Sequence, residues 1–159
     1  MSMNSIPLLQ ALLQRAEGER DNAQTALRQA AALEAQAQAQ ARHLQDYRGE
    51  YDQRWVARFQ QSGTPELLNC HRSFGQRLDQ AIAVQSSNAD QLDNRVQRAR
   101  DQLLAREQRV AAVRKLIERR SAAERQLRER IEQKADDEQA TRIALSRDVH
   151  GLRNTGVPL

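Results

Sequence analysis

Histidine, cysteine and carboxylate side chains are the groups through which this 159-residue sequence could catalyse a reaction or bind a metal. His43, His71 and His150 are scattered too widely along the chain to converge on one metal ion. Cys70 directly precedes His71, so on a helix the two side chains would point about 100° apart, a poor geometry for a nucleophile and its base. No phosphate-binding P-loop, HExxH or CxxC motif occurs. We therefore predict no enzymatic activity, no cofactor, no metal and no small-molecule substrate.

The composition argues against a compact globular enzyme. Hydrophobic residues make up 39% of the chain, aromatic residues 3% and charged residues 29%, with only 6 Gly and 3 Pro. A globular domain of this length usually has more large apolar residues for its core and more Gly and Pro for its turns. The abundance of Ala, Gln, Arg, Glu and Leu is typical of long helices and coiled coils.

The cysteine and hydropathy patterns indicate a cytoplasmic protein. Cys70 is the single cysteine, so no intrachain disulfide can form, which fits a reducing compartment. The start of the chain lacks the basic region and continuous apolar run of a secretion signal, and no stretch reaches the roughly 20 apolar residues of a membrane span. We expect any association with a membrane to come through partner proteins.

One short break separates two long segments that are almost free of proline and glycine. The sequence Ser-Gly-Thr-Pro-Glu at 62–66 combines Thr64, which can cap a helix, with Pro65 at the first helical position. Gly63 suits a left-handed end to the preceding helix. The predicted single domain 1–159 consists of a first helix at 5–61, a turn at 62–65, a second helix at 66–148 and a frayed tail at 149–159.

Apolar residues recur in both segments at alternating spacings of three and four. The predicted interface rows of the first helix are Leu9, Ala16, Ala23, Ala30, Ala37, Leu44 and Tyr51, and Leu12, Glu19, Ala26, Leu33, Gln40, Tyr47 and Arg54. Those of the second helix are Ile82, Ala89, Val96, Leu103, Val110, Ile117, Glu124 and Ile131, and Leu78, Gln85, Leu92, Ala99, Arg106, Val113, Arg120 and Leu127. Such a sustained pattern is typical of a coiled coil, and the short connection makes the helices antiparallel. The predicted fold class is all-α, a long antiparallel two-helix coiled-coil hairpin whose second helix is longer than the first.

A turn centred near 62–63 pairs residues across the hairpin whose numbers sum to about 125. This register places Tyr51 near Phe74. Residues beyond about 120 then have no partner within the chain, and the apolar rows become polar in the same region. A seam that stops where its partner ends favours the hairpin over a parallel homodimer. The unpaired part of the second helix, termed the overhang, keeps Leu127 and Ile131 as positions suited to docking on another protein.

All five aromatic residues fall between positions 47 and 74, in the two helix segments that flank the turn and form the tip of the hairpin. Aromatic residues that only filled a core would be spread along the whole seam. Tyr47 and Tyr51 lie on the predicted seam, so packing within the tip is one explanation. Trp55, Phe59 and Phe74 lie off the strict rows, and a two-helix tip is too thin to bury all five. We therefore favour a tip that binds a partner.

Positive charge is concentrated in one part of the chain. The net charge is +4, but residues 95–130 contain 11 Arg and 1 Lys against 5 acidic residues, a local excess of +7. Such a segment either meets an anionic surface or is a solvated helix face. Binding of nucleic acid has less support, because acidic residues are interspersed and no element that could enter a groove is evident.

The residues on both sides of the turn resemble those of a known family. The pattern Leu44-x-x-Tyr47-x-x-x-Tyr51 precedes the turn, Phe74-x-x-x-Leu78-x-x-Ala81 follows it, and a helix rich in Arg-x-x-Glu comes later. These features resemble the FliJ family over roughly residues 5–145. FliJ is the small coiled-coil component of the flagellar type III protein export apparatus. The equivalent stalk protein of a virulence injectisome is an alternative that the sequence leaves open.

The resemblance implies a connector that works through partner proteins. FliJ proteins are antiparallel two-helix coiled coils, similar to the central shaft subunit of rotary ATP synthases. They dock in the hexameric ring of the export ATPase FliI, contact the export gate FlhA and help to recycle export chaperones. The resemblance thus implies a role in flagellum assembly and motility at the cytoplasmic face of the inner membrane, without nucleic acid as a partner.

The resemblance also implies which residues meet these partners. The gate-facing cluster of the family, carried over by position, comprises Gln40, Leu44, Tyr47, Tyr51, Phe74, Leu78, Ala81 and Gln85. Gln85 departs from the family pattern, because the last residue of the cluster is usually His in the family. Gln can still form hydrogen bonds. For the ATPase ring or the chaperones, the basic overhang offers Arg114, Arg119, Arg120, Leu127 and Ile131.

Overall fold

Two α-helices make up the part of the chain that the structure describes. The computed structural model describes residues 5–153. Within this range α1 spans Ser5–Ser62, α2 spans Pro65–Arg153, and no strand is present. Because only residues 63–64 separate the helices, the chain turns back on itself as an antiparallel pair. The predicted all-α hairpin with a longer second helix is confirmed, at 58 residues against 89.

Contacts between the helices confirm the predicted register. Tyr51 packs against Phe74 with ring centroids 4.8 Å apart, and the two residue numbers sum to 125. Glu19 accepts a hydrogen bond of 2.8 Å from Arg106, and these numbers also sum to 125. Two contacts that lie far apart along α1 therefore share one register.

The chain divides into two compact units, each of which contains segments of both helices. The first, termed the hairpin unit, is Gln14–Val110 and includes the turn. The second, termed the terminal unit, joins Met1–Leu13 to Ala111–Leu159, of which the structure describes 5–13 and 111–153.

The turn has the predicted helix cap but not the predicted glycine conformation. The hydroxyl of Thr64 accepts a hydrogen bond of 3.4 Å from the backbone N–H of Leu67, and Pro65 occupies the first helical position. Gly63 does not have a positive φ, so the predicted left-handed helix end is wrong. A Cβ at this position would lie 2.9 Å from two ring carbons of Phe59, so a larger residue would require that exposed ring to move.

The two predicted rows of α2 form its inner face throughout the hairpin unit. Leu78, Val96 and Val110 are buried. The row members between them are all half-buried: Ile82, Gln85, Ala89, Leu92, Ala99, Leu103 and Arg106. Full burial of one Val or Leu contributes about 1.5–3 kcal/mol, so this face supplies much of the hydrophobic energy of the unit.

Only one of the two predicted rows of α1 is correct. The row that contains Ala16 and Ala37 is buried or half-buried as predicted. Leu33, from the other predicted row, is 51% exposed, and the observed second row lies one residue further along the chain. Its members in the hairpin unit are Arg20, Leu27, Glu34, Ala41, Arg48 and Trp55. Three of these six side chains are charged, which is why an apolar pattern selects the neighbouring row.

Burial in the terminal unit ends near residue 124. Glu124 is half-buried, whereas every side chain described at 125–151 is exposed, as expected of an overhang. The helix extends to Arg153 rather than ending at 148 as predicted. A glycine such as Gly151 costs an exposed helix only about 1 kcal/mol and does not by itself end it. The remainder of the predicted tail, 154–159, lies outside the described residues.

Candidate partner-binding surfaces

The eight residues predicted to bind a partner at the tip form four layers across the hairpin unit. In the observed register the opposite residues are Gln40 and Gln85, Leu44 and Ala81, Tyr47 and Leu78, and Tyr51 and Phe74. The rings of Tyr51 and Phe74 are in contact at an interplanar angle of 58°. Of the predicted residues, the structure thus shows Tyr51 in contact with Phe74, and Gln40, Leu44 and Gln85 on one groove. Gln40 and Tyr47 belong to the exposed row of α1.

The layers differ in how much surface they offer to a partner. Leu78 is only 8% exposed and belongs to the core of the tip. Tyr47 and Phe74 are 41% and 39% exposed, while Leu44 and Tyr51 are half-buried. Aromatic side chains that are partly held by neighbours and partly accessible are typical anchors of protein interfaces. Tyr47 and Phe74 are thus the accessible anchors of this cluster.

The layer furthest from the turn contains a shallow groove with polar and apolar walls. Gln40, Leu44 and Gln85 line it together with His43. The side-chain oxygen of Gln85 is buried and has no hydrogen-bond partner among the described residues. An unsatisfied buried acceptor costs about 1–3 kcal/mol. A hydrogen-bond donor from a partner would remove this cost, so position 85 suits a polar contact.

Four of the five aromatic residues and one histidine form a continuous stack at the tip. The imidazole of His71, from α2, lies between the rings of Tyr51 and Trp55 of α1, at centroid distances of 5.1 and 4.4 Å and interplanar angles of 20° and 9°. Phe74 extends the stack beyond Tyr51, and Phe59 extends it beyond Trp55 at 6.4 Å. This set is termed the aromatic stack. Much of the aromatic surface of the tip is therefore covered by other rings.

A charged cluster centred on Arg48 links the helices beside the aromatic stack. The guanidinium of Arg48 donates a hydrogen bond of 3.0 Å to Asp79 across the hairpin and another to Asp52 on its own helix. The bond to Asp79, assisted by that to Asp52, raises the pKa of Arg48 against partial desolvation, so its charge persists at any physiological pH. Gly75 is buried, and a Cβ at this position would lie 2.9 Å from Nη2 of Arg48, so the guanidinium occupies the space that a larger residue would need.

Sequence reasoning missed the glycine of the tip, Gly75, and its polar members: Arg48, Asp52, His71 and Asp79. One signal pointed to two of them. Arg48 and Asp79 have opposite charges, and their residue numbers sum to 127, close to the value of 125 that defines the register of the hairpin. Their pairing could be found only after the register was known.

A second charged cluster surrounds Glu19 in the hairpin unit. This carboxylate pairs with Arg106 at 2.8 Å and Arg109 at 3.9 Å on α2, and with Arg15 at 3.5 Å on its own helix. Two arginines of the basic segment 95–130 thus serve to join the helices. Their charge is partly neutralised within the chain and is less available to an external anion.

The five residues predicted in the overhang all lie on α2 in the terminal unit. Each of them is exposed: Arg114, Arg119, Arg120, Leu127 and Ile131. Leu127 and Ile131 are four residues apart and so share one face of the helix. Leu127 and Ile131 are therefore accessible apolar side chains with positive charge nearby in sequence.

A metal site, a membrane-spanning helix and a disulfide bond each place requirements on the described residues. Within residues 5–153, no group of three or more His, Cys, Asp or Glu side chains is placed to hold a metal ion. No helix in that range combines the length and apolar character needed to cross a membrane. The thiol of Cys70 is free and exposed.

Comparison with known proteins identifies one related family. The model of the family described as flagellar FliJ protein matches residues 5–148, nearly the whole chain. No significant match is found among curated proteins or among solved structures. The matched range contains all eight tip residues and all five overhang residues.

Proposed function

The chain belongs to the FliJ family of flagellar proteins, and we propose that it serves protein export as a connector between the export ATPase and the export gate. Family membership supports a role related to flagellar export in general, as a non-enzymatic coiled-coil component. The observation that carries the finer proposal is the extent of the match. Residues 5–148 include both the tip and the overhang, so both candidate surfaces fall within the family pattern.

The tip is the surface that we assign to the export gate FlhA. Support comes from Tyr47 and Phe74, which are aromatic and accessible, and from the packing of Phe74 on a neighbouring ring. The packing of Phe74 on Tyr51 restricts its ring before any partner arrives. An anchor that is already ordered loses less conformational entropy on binding, which favours affinity.

The overhang is the surface that we assign to the ring of the export ATPase FliI and to the export chaperones. Leu127 and Ile131 supply apolar contacts, and the basic segment 95–130 would be attracted to acidic side chains lining a pore. The protein would be held at the inner membrane by these partners rather than by a membrane-spanning helix of its own.

Two other functions have less support. The matched model describes a flagellar protein, which favours the flagellar system over a virulence injectisome. Nucleic-acid binding is disfavoured because Arg106 and Arg109, within the basic segment, already pair with Glu19.

Replacing Phe74 with Ala tests the gate contact. Truncating a central aromatic anchor of an interface costs more than 1 kcal/mol and often above 2, so binding to FlhA should weaken about tenfold or more. The measurement is the affinity of the purified variant for the cytoplasmic domain of FlhA, and Tyr47→Ala should act in the same direction.

Leu104→Ala is the matched control, because Leu104 is an exposed apolar residue of the hairpin unit that lies far from the tip in sequence. It should bind FlhA as the unchanged protein does. Circular dichroism should show equal helix content in all variants. Unchanged affinity of Phe74→Ala, or a loss of helix content that accounts for weaker binding, would exclude Phe74 as a gate anchor.

A further inference from the structure

A small groove lies at the end of the hairpin, between the end of α1 and the start of α2. Its volume is about 190 Å³, and its lining residues are Trp55, Arg58, Phe59, Ser62 and Leu67. A shallower groove adjoins it, shares Trp55 and Arg58, and includes Tyr51, Arg54, Ala57 and Gln61. We term the smaller one the Trp55 groove. None of the eight residues of the four layers lines it.

The size and walls of the Trp55 groove suit a single apolar side chain. Sites for whole small molecules usually measure about 300–1,000 Å³, well above the volume found here. Aromatic and aliphatic groups from both helices form the walls, and Phe59 and Leu67 remain exposed to solvent. Covering this apolar surface would be favourable, so one inserted Leu- or Phe-sized group is the fitting occupant.

The charge around both grooves determines which residues can flank the inserted side chain. Two arginines line the grooves and no carboxylate does. Arg54 is held by Glu50 at 3.4 Å on its own helix. Arg58 makes no hydrogen bond or ion pair with any described residue, so its guanidinium can accept a carboxylate, which it matches with two parallel N–H donors.

We propose that the Trp55 groove binds an acidic segment of a partner protein. One apolar side chain of that segment enters the groove, and a carboxylate one or two residues away pairs with Arg58. This proposal does not depend on the assignment of the four layers to the export gate, because it rests on other residues.

A nucleic acid is the less suitable occupant of this surface. Single-stranded nucleic acids bind through bases stacked on exposed aromatic faces and through a track of positive charge. One face of Trp55 is already covered by His71 at 4.4 Å, and the ring of Phe59 lies near it at 6.4 Å. The groove thus offers an edge for insertion of a side chain rather than a face for stacking.

Trp55 provides a direct readout because it is the single tryptophan of the chain. The probe is a ten-residue synthetic peptide with one Leu flanked by Asp and Glu, titrated into the full-length protein while Trp55 emission is recorded. Two matched peptides carry Ser in place of Leu, or Asn and Gln in place of the acidic residues. We expect a saturable change with the first peptide and at least about tenfold weaker binding of both controls, and added salt should weaken the binding.

Variants of the protein locate the binding site. Arg58→Gln and Leu67→Ser should each weaken the peptide about tenfold, since each removes one of the two recognition elements. Arg98→Gln is the control, because Arg98 is an exposed arginine of the same unit that does not line the groove. Circular dichroism verifies that each variant retains its helix content.

Four results would overturn the proposal. The first is no response of Trp55 emission to the acidic Leu peptide, and the second is binding of either matched peptide as tight as that of the acidic Leu peptide. The third is an equal loss of affinity in Arg98→Gln and Arg58→Gln. The fourth is equal or tighter binding of a ten-nucleotide single-stranded DNA, which would identify the groove as a nucleic-acid site. A failure of FlhA binding in the earlier test leaves all of these readouts unaffected.

Discussion

At the scale of single residues, the tip is organised by side chains that fit between other side chains. His71 fills the space between Tyr51 and Trp55, and Gly75 leaves space for the guanidinium of Arg48. Each aromatic contact contributes about 0.5–1.5 kcal/mol beyond the area it buries. By contrast, Nδ1 of His71 is buried without a hydrogen-bond partner among the described residues. Nε2 lies 3.8 Å from Oδ1 of Asp52, too far for a hydrogen bond. We therefore expect the shape of the imidazole to contribute more to the tip than its hydrogen bonds.

Replacing His71 with Ala should destabilise the protein by about 1–3 kcal/mol, because two stacked contacts are lost and a space remains between Tyr51 and Trp55. His71→Phe preserves the stack and removes the unpaired nitrogen, so its stability should stay within about 1 kcal/mol of the unchanged protein. Urea unfolding followed by circular dichroism measures both, and Trp55 emission should shift in the Ala variant. Equal destabilisation by Ala and Phe would show that the imidazole nitrogens matter more than its shape.

At the scale of elements, apolar periodicity predicted the inner face of α2 throughout the hairpin unit but that of α1 only in part. The inner face of α2 is formed mainly by apolar residues, so its rows are readable from spacing. The second row of α1 contains Arg20, Glu34 and Arg48, and at least Arg48 is retained because a partner on α2 compensates its charge. The pairing of the two helices determines which row of α1 faces α2. The spacing of apolar residues within one helix does not reveal this pairing.

In the tip, too, local sequence signals predicted some features, whereas contacts between the helices could not be predicted. The turn was predictable because Thr64 and Pro65 act locally, through a cap and a fixed φ. The register followed from the position of the turn, and with it the contact of Tyr51 with Phe74. The insertion of His71 into the stack depends on rotamers and on contacts between helices, so composition and spacing could not reveal it.

A comparison of two leucines tests the observed rows of α1. Leu27 lies in the observed second row and is half-buried, whereas Leu33 lies in the predicted row and is exposed. Leu27→Gln should lower the free energy of unfolding by about 1–2 kcal/mol, and Leu33→Gln should change it by less than about 0.5 kcal/mol. Urea unfolding of both variants provides the measurement, with each serving as the control for the other. A larger loss of stability in Leu33→Gln than in Leu27→Gln would mean that the predicted row, rather than the observed one, faces α2.

At the scale of the whole molecule, α2 contributes to both candidate surfaces. Phe74 and Leu78 belong to the tip, in the hairpin unit, whereas Leu127 and Ile131 belong to the overhang, in the terminal unit. The two surfaces have no residue in common. A connector requires this property, because it must hold one partner while it engages another. Substitutions of exposed residues at one surface should accordingly leave the other surface functional.

This independence predicts a reciprocal pattern in purified proteins. Phe74→Ala should lose FlhA binding but still promote ring assembly and ATP hydrolysis by FliI. The double variant Leu127→Ser and Ile131→Ser should bind FlhA normally, yet stimulate FliI about tenfold less, because two exposed apolar contacts are removed. Ile143→Ser with Leu145→Ser is the matched control, since both residues are exposed on the same helix and should be dispensable. If the unchanged protein fails to stimulate FliI, or if either variant loses both activities while remaining helical, the chain does not act as a connector.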